Sequence, residues 1–235
     1  MAPIRILVTG FSAFPRAPVN PTERLIEMFD ACRWSPEGAE LRTAVLPVEY
    51  GRVPGMLCDL GLAFRPDVAI HFGLAETARG FRLERTARNR SSLAKPDAAG
   101  GLPPARAIVK GGRALASGLP LDEIAARLKA GGLPVTLSSN AGEYLCNYTF
   151  YLACDRTHPD YAPAMAGFVH VPFLDSQLAL LGPRGAGLSS LDEDQLLQGA
   201  RIVVETAAST YRASAPTPDS RTSPGSASTT SLTPS

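Results

Sequence analysis

Ile4-Arg-Ile-Leu-Val8 is a continuous apolar run with one arginine, and it ends in Thr9-Gly10 ahead of Asn20-Pro-Thr-Glu23 and an apolar-periodic segment to Cys32. This order predicts a strand, a loop and a helix. Asn20 is a good N-cap, and a proline suits the first helical turn that follows it. The carboxylate of Glu23 is placed to complement the cap and the helix dipole.

Strands and helices alternate along the rest of the chain. Apolar runs predict strands at 41–48, 68–71, 135–138 and 168–171. Helical spacing predicts helices at 51–64, 119–131 and 142–154, and a last helix at 191–211 that Ser189 or Ser190 is expected to cap. This pattern favours a three-layer α/β/α domain with a twisted, mostly parallel, mixed central sheet, in which ligand sites form beyond the carboxyl ends of the strands.

The composition predicts one folded domain. The chain has 235 residues, 45% of them hydrophobic, which is enough for a single sizeable core. We expect this domain to span residues 1–212, with a long surface loop at 90–114. Residues 213–235 are mostly Ser, Thr, Pro and Ala, so we expect a disordered tail. The formal net charge of +1 argues against a nucleic-acid partner.

The amino-terminal residues and the cysteines indicate a reducing compartment. The chain begins without a basic leader or a long hydrophobic region, and it has no run of roughly 20 apolar residues that could span a bilayer. The four cysteines, Cys32, Cys58, Cys146 and Cys154, show no paired spacing of the kind that zinc sites use. We therefore expect a cytoplasmic protein without a membrane partner.

Cys146 and His170 are the residues that suggest chemistry. Cys146 follows a predicted strand-to-helix turn, where backbone amides can both lower the pKa of a thiol and hold an oxyanion. His170 lies near the end of the next predicted strand and is a candidate base. A core histidine is an equal alternative there, and His71 has the same ambiguity. His158 lies in a polar turn and is expected to be solvated.

Glu84 is the candidate for a carboxylate that orients the imidazole. Spacing alone leaves open a plain surface ion pair, because Glu84 lies among arginines. The four arginines in this stretch, which have no interleaved aromatic residues, are interpreted as solvated charge. They are Arg82, Arg85, Arg88 and Arg90.

Between Ile4 and Pro172 the chain carries an opening signature, a glutamate motif, a cysteine motif and a histidine motif, in this order. Their residues are Val8-Thr-Gly-Phe11, Phe14, Asn20-Pro-Thr-Glu23, Leu46-Pro-Val48, His71-Phe-Gly73, Glu84-Arg85, Asn89, Pro96-Asp97, Gly100, Ala141-Gly142, Tyr144-Leu-Cys-Asn147, Phe150-Tyr151 and Gly167-Phe-Val-His-Val-Pro172. Together these segments resemble the type I pyroglutamyl peptidases, also called pyrrolidone-carboxylate peptidases, which are cysteine peptidases that remove an N-terminal pyroglutamyl residue.

The resemblance implies a mechanism and a substrate. It makes Cys146, His170 and Glu84 a catalytic triad that works through a thioester, with no metal or organic cofactor. It implies substrate-binding roles for Phe11, Phe14, Asn20, Tyr144 and Leu145, with the two phenylalanines on either side of the flat lactam ring. The expected substrates are peptides with N-terminal pyroglutamate, and the expected assembly is a homo-oligomer, often a tetramer.

The chain departs from the family pattern in two loops. An arginine thought to assist the oxyanion site is replaced by Ala94, so Lys95 or Arg90 would have to substitute, or the backbone amides act alone. The usual Gly-Gly after the first phenylalanines is replaced by Pro15-Arg16. Two alternatives to a pyroglutamyl peptidase therefore stay open: a related thiol amidase with an altered substrate range, and a catalytically silent homologue that binds pyroglutamyl peptides.

Overall fold

The structure, a computed structural model, describes residues 2–14, 17–156 and 158–214. Strands and helices alternate through most of this range, as the sequence predicts. In chain order they are β1 (Ile4–Phe11), α1 (Pro21–Cys32), β2 (Ala39–Leu46), α2 (Val53–Phe64), β3 (Val68–Leu74), β4 (Phe81–Glu84), β5 (Thr86–Ala87), β6 (Leu115–Ala116), α3 (Leu121–Ala130), β7 (Val135–Ser138), α4 (Leu145–Asp155), β8 (Met165–Val171), β9 (Phe173–Leu174), α5 (Asp175–Leu178), a 3-10 helix (Ala179–Gly185), β10 (Ser190–Leu191) and α6 (Glu193–Ser214).

The central sheet has six strands in the order β2-β1-β3-β8-β4-β7. The first four are parallel to one another, whereas β4 pairs antiparallel with β8 and parallel with β7. Apolar side chains of α1, α3 and α6 form a core on one face, and those of α2 and α4 form a second core on the other. The predicted three-layer fold with a mixed, mostly parallel sheet is confirmed.

The first helix begins as predicted. Asn20 caps α1, because its Oδ1 accepts a hydrogen bond from the backbone N–H of Thr22 at 3.1 Å. The Nδ2 group of Asn20 also donates to the carbonyl of Ser12 at 3.1 Å. The carboxylate of Glu23 accepts from the backbone N–H of Ala13 at 2.8 Å. The cap therefore holds the loop after β1 as well as the helix.

The last helix begins differently from the prediction. Its cap is Asp192, whose Oδ1 accepts from the N–H of Gln195 at 2.7 Å while the Gln195 side chain accepts from the N–H of Asp192. Ser190, one of the two expected caps, lies in β10 instead. The reciprocal pair of Asp192 and Gln195 is favoured over a serine cap, because a carboxylate acceptor also complements the positive end of the helix. α6 continues through Ser214, whose hydroxyl donates to the carbonyl of Tyr211 at 2.9 Å, so the expectation that the tail begins at residue 213 is wrong. Residues 215–235 of the expected tail lie outside the described residues.

Residues 90–114 contain no helix or strand, as predicted, and α4 holds this loop in place. The side chain of Asn147 bonds the backbone of Arg88 and Arg90, and the hydroxyl of Tyr151 donates to the carbonyl of Arg113 at 3.0 Å. Both ends of the loop are therefore tied to the helix that carries Cys146. Within the described ranges, no helix combines the length and the apolar character needed to cross a membrane.

Candidate active site

Two neighbouring strands place His170 and Glu84 side by side. The antiparallel register of β4 and β8 pairs Arg82 with His170 and Glu84 with Phe168. Nδ1 of His170 lies 2.8 Å from Oε1 of Glu84, and both side chains are buried. The surface ion pair that spacing alone left open for Glu84 is excluded, because its carboxylate is enclosed in the protein.

The charges of this pair follow from its surroundings. Burial opposes ionisation of Glu84, but the hydrogen bond and charge of His170, the nearby Ser138 hydroxyl and the charge of Arg82 together hold the pKa of Glu84 below its usual value. Burial lowers the pKa of His170, although Glu84 acts in the opposite direction. A neutral imidazole that donates from Nδ1 to a carboxylate keeps Nε2 unprotonated, which is the state that a general base needs.

Cys146 lies in the first turn of α4, which begins at Leu145 rather than at Gly142. The first N–H groups of a helix have no intrahelical acceptor and carry its positive partial charge, so they can bind an oxyanion. The thiol side chain is partly buried. Burial, reinforced by the charge of Glu84, raises the pKa of Cys146 to about 12 against the opposing effects of Arg82 and the Cys146 backbone amide. The expectation of a lowered thiol pKa is therefore wrong.

Gly73 locates the thiol relative to the histidine. Gly73 of β3 pairs with His170 of β8 in parallel register. A methyl group built at Gly73 would lie 3.0 Å from Sγ of Cys146 and 2.6 Å from the ring of Phe168. The thiol and the Phe168 ring therefore pack against Gly73, on the face of the sheet that also carries the His170 side chain.

An apolar cavity of about 100 Å³ opens next to the thiol. A cavity of this order of size can hold one small ring. All five predicted substrate-binding residues line it, together with Cys146 and three residues that the sequence analysis did not single out for binding. The lining residues are Phe11, Phe14, Asn20, Val48, Leu74, Glu76, Tyr144, Leu145 and Cys146. A larger open groove of about 800 Å³ lies at the other end of the strands, around Arg5 and Asp67, away from these residues.

Aromatic contacts and loop hydrogen bonds hold the cavity wall. The rings of Phe14 and Tyr144 have centroids 6.5 Å apart, and Tyr50 meets Tyr144 edge to face at 5.9 Å. The hydroxyl of Tyr144 donates to the carbonyl of Pro96 at 3.1 Å, which joins the long loop to the cavity. Glu76, at the cavity, is half exposed and lies 3.8 Å from Arg184.

The other two histidines have different environments. His71 is fully buried, with Nδ1 2.7 Å from the hydroxyl of Thr9 and Nε2 3.1 Å from the hydroxyl of Tyr161. Burial lowers the pKa of His71 to about 3, so it is a neutral core histidine. His158 is exposed, as predicted, and lies 3.4 Å from the thiol of Cys58. Among the described residues, no group of His, Cys, Asp and Glu side chains is arranged to hold a metal ion.

The arginines near Glu84 are not all solvated charge. Arg82 is 23% exposed, and its Nε donates to Oε1 of Glu84 at 2.9 Å, so the interpretation of this residue as solvated is wrong. Its alternation with Glu84 in Phe81-Arg-Leu-Glu84 is the signal that predicts a shared face, once the segment is recognised as a strand. Arg85 fits the prediction, since it is half exposed and pairs with Asp122 at 3.5 Å.

The two cations that could replace the family arginine lie elsewhere. Lys95 is exposed, as is Ala94 itself. The guanidinium of Arg90 pairs with Glu143, with Nε 2.8 Å from the carboxylate. Neither Lys95 nor Arg90 lines the cavity. The backbone N–H groups in the first turn of α4 remain the candidate donors to an oxyanion.

A thiol at a helix start, a buried histidine and carboxylate, and an adjoining apolar cavity define the class of cysteine hydrolases. A family model described as pyroglutamyl peptidase matches residues 4–210. The chain belongs to the pyroglutamyl peptidase family, cysteine peptidases that remove N-terminal pyroglutamyl residues.

Individual relatives agree with this assignment. The pyrrolidone-carboxylate peptidase of Pyrococcus furiosus is 33% identical over 205 residues, which cover 87% of this chain and 98% of the relative. Pyrrolidone-carboxylate peptidase 1 of Ralstonia nicotianae is 35% identical over 86% of this chain and 91% of its own length. The crystal structure of the pyrrolidone carboxyl peptidase from Fervidobacterium islandicum superposes with a TM-score of 0.79 at 30% identity, covering 86% of this chain and 97% of that one.

Proposed function

We propose that this chain cleaves pyroglutamyl peptides with Cys146 as the nucleophile, His170 as the general base and Glu84 as the carboxylate that orients the imidazole. The observation that carries the proposal is the 2.8 Å contact of His170 with Glu84. The pairing of His170 with Gly73, against which the Cys146 thiol packs, supports it. Because Nδ1 is committed to Glu84, Nε2 is the nitrogen available to the thiol.

The proposed reaction has two steps. Sγ of Cys146 attacks the carbonyl carbon of the pyroglutamyl residue while its proton passes to Nε2 of His170. The bond to the next residue then breaks, and the same proton passes to the departing amine, leaving a thioester. Water, deprotonated by Nε2, attacks the carbonyl carbon of the thioester, and the bond between that carbon and Sγ breaks. The proton on Nε2 passes to Sγ, which restores the thiol as pyroglutamate leaves. Backbone N–H groups in the first turn of α4 would hold the oxyanion in both steps.

The cavity explains why a cyclic amide would be preferred to an ordinary N-terminus. Phe11, Phe14, Tyr144 and Leu145 give it an apolar lining, and the Asn20 side chain is a polar group at its wall. A charged α-ammonium would have to lose its hydration there, whereas a neutral lactam would lose much less. Discrimination would therefore come from the desolvation of the wrong substrate as well as from the fit of the right one.

The test compares two amides that differ in one group. A fluorogenic pyroglutamyl amide should be hydrolysed, whereas the matching prolyl amide, whose similar ring carries a charged nitrogen, should not. Cys146→Ala should lower kcat/KM by about 10⁴-fold or more, since removal of a nucleophile disables the whole unit. Cys154→Ala is the matched control, because Cys154 lies in the same helix and its thiol faces the carbonyl of Ala166. Equal rates for Cys146→Ala and wild type would end the proposal.

A thiol amidase with another substrate range is distinguished by the same assay with other blocked amides. If these turn over faster than the pyroglutamyl amide and still require Cys146, the triad stands and the substrate assignment fails. Binding of pyroglutamate without any turnover would identify a silent homologue.

We also propose the wider setting that the family resemblance implies. The catalytic unit ends with α6 at Ser214, and residues 215–235 have no catalytic role. The protein is a homo-oligomer, and it acts in the cytoplasm. A reducing compartment suits a mechanism that needs a free thiol at Cys146. Light scattering coupled to size-exclusion chromatography tests the tetramer, and activity of a chain ending at residue 214 tests the tail.

A further inference from the structure

Arg82 reaches both members of the histidine–carboxylate pair. Its Nε donates to Oε1 of Glu84 at 2.9 Å, and its Nη2 lies 3.4 Å from Nδ1 of His170. Oε1 of Glu84 therefore lies within hydrogen-bond distance of two nitrogens, Nε of Arg82 and Nδ1 of His170. The register of β4 and β8 pairs Arg82 with His170, so the backbone of the sheet brings the two side chains close together.

The guanidinium cannot donate a useful hydrogen bond to His170. Because Nδ1 lies 2.8 Å from a carboxylate oxygen, its proton is held in that contact. Nη2 and Nδ1 are then both donors, and Arg82 acts on His170 as a nearby positive charge. That charge opposes protonation of the imidazole and favours the anions of Glu84 and Cys146.

Few other charges act on this imidazole. Glu84 and Arg82 of β4 are the charges that affect His170. The same two side chains act on the thiol of Cys146 in α4, with opposite effects on its pKa. On the other sides, β3 presents the bare backbone of Gly73 and β7 presents Ser138 near the carboxylate. Removal of Arg82 should therefore leave Glu84 as the dominant charge on the base.

We propose that Arg82 is a positioning residue of this hydrolase: it fixes the Glu84 carboxylate in the orientation that receives Nδ1–H, and it keeps His170 neutral at lower pH than Glu84 alone would allow. The inference rests on the proposed function, in which His170 is the base. In the reaction, the same positive charge makes the protonated imidazole a stronger acid toward the departing amine.

Two kinetic effects follow for Arg82→Gln. The acidic limb of kcat/KM should move to higher pH by about one pH unit, because a like charge beside the imidazole is lost. The value of kcat at its optimum should fall about tenfold through looser orientation of the pair. KM should change little, since Arg82 does not line the cavity. Arg82→Lys should keep the acidic limb but recover only part of kcat, because an ammonium lacks the planar fork of donors.

The experiment combines pH–rate profiles with titration of the histidine rings by NMR. The chain has only three histidines, so the His170 signals can be assigned against His71→Gln and His158→Gln variants. Arg85→Gln is the matched control: Arg85 is the next arginine along the chain, is half exposed and pairs with Asp122. It should leave both the pH profile and the His170 titration unchanged.

An acidic limb and a His170 titration that are the same in Arg82→Gln as in wild type would overturn the inference. If Arg82→Gln does not fold, the same pH profile and His170 titration are measured on Arg82→Met, a second neutral variant that keeps an unbranched side chain. If the wild type fails to hydrolyse the pyroglutamyl amide, the proposed function fails, yet the His170 titration still reports whether Arg82 controls the protonation of the imidazole.

Discussion

Gly73→Ala tests the placement of the thiol with the smallest available change. Gly73 lies in β3, and its φ is not positive, so an alanine backbone fits without strain. The added methyl carbon would lie 2.6 Å from the Phe168 ring and 3.0 Å from Sγ of Cys146. Nonbonded carbon atoms prefer about 3.5–4.0 Å. The ring therefore has to withdraw by about 1 Å, and the sulfur by about half an ångström or more.

This displacement reaches both reacting groups. Phe168 is fully buried, and its ring centroid lies 4.8 Å from that of His170, so a movement of the ring also disturbs the base. A misplacement of 1 Å can reduce activity about 10²-fold. Overpacking of a core lowers the free energy of unfolding by about 1–3 kcal/mol, which a domain of ordinary stability survives. The variant should therefore fold and lose most of its kcat/KM.

The assay is hydrolysis of the pyroglutamyl amide, with urea unfolding to confirm the native state. Gly55→Ala is the matched control, because Gly55 lies in α2 with open space around the position of the new methyl group. This control should raise the free energy of unfolding by about 0.5–1 kcal/mol and leave kcat/KM unchanged. A folded Gly73→Ala protein with kcat/KM within threefold of wild type would refute the placement of Sγ against β3.

Two further predictions concern the buried polar groups. Glu84→Gln should lower kcat by about 10³–10⁴-fold with little change in KM, because the amide no longer fixes the imidazole tautomer that His170 needs. A loss of kcat below tenfold in steady-state assays would contradict the role of Glu84. His71, whose pKa burial lowers to about 3, binds a proton in the unfolded chain but not in the native protein between pH 6.5 and 3. Its contribution to the free energy of unfolding should therefore fall by at most about 1.4 kcal/mol per pH unit as the pH drops through that window. In urea unfolding, His71→Gln should show a flatter pH dependence than wild type, and equal slopes would contradict the assignment of His71 as a neutral core histidine.

Local signals were sufficient for the elements whose start is encoded in a few adjacent residues. Asn20 and Pro21 predict the start of α1 correctly, because capping depends on the side chain and the backbone of neighbouring positions. α4 begins later than its periodicity suggests, at Leu145, because the preceding turn is held by its own local bonds, such as that from the N–H of Gly142 to Asn140.

No strand is predicted from the sequence at β4, because its residues do not form the continuous apolar run that is typical of a buried strand. Phe81-Arg-Leu-Glu84 alternates apolar and charged residues, which normally indicates a charged face in water. In this fold Glu84 is buried, because its carboxylate forms a hydrogen bond with His170, which is distant in the sequence. Charged residues are buried only when they are paired, and no local pattern predicts a pairing over that separation.

The additional cavity residues follow a topological rule. Val48 lies just past the end of β2, Leu74 is the last residue of β3, and Glu76 lies two residues further on. Ligand sites in such sheets form beyond the carboxyl ends of the strands. That rule predicts all three as cavity residues, whereas the family resemblance includes Val48 without a binding role and does not include Leu74 or Glu76.

The directions of the pKa values at the site indicate how the proposed enzyme would work. Burial raises the pKa of Cys146 and lowers that of His170, so sulfur and imidazole are both uncharged at neutral pH. The alternative, a stored thiolate and imidazolium, would place two further charges in a site where burial opposes them. Proton transfer would then accompany the attack of sulfur on the carbonyl, and the rate would depend on how closely Sγ, Nε2 and the carbonyl carbon are held. For that reason, a single methyl group at Gly73 should impair the enzyme more than the loss of an exposed charge such as Arg85.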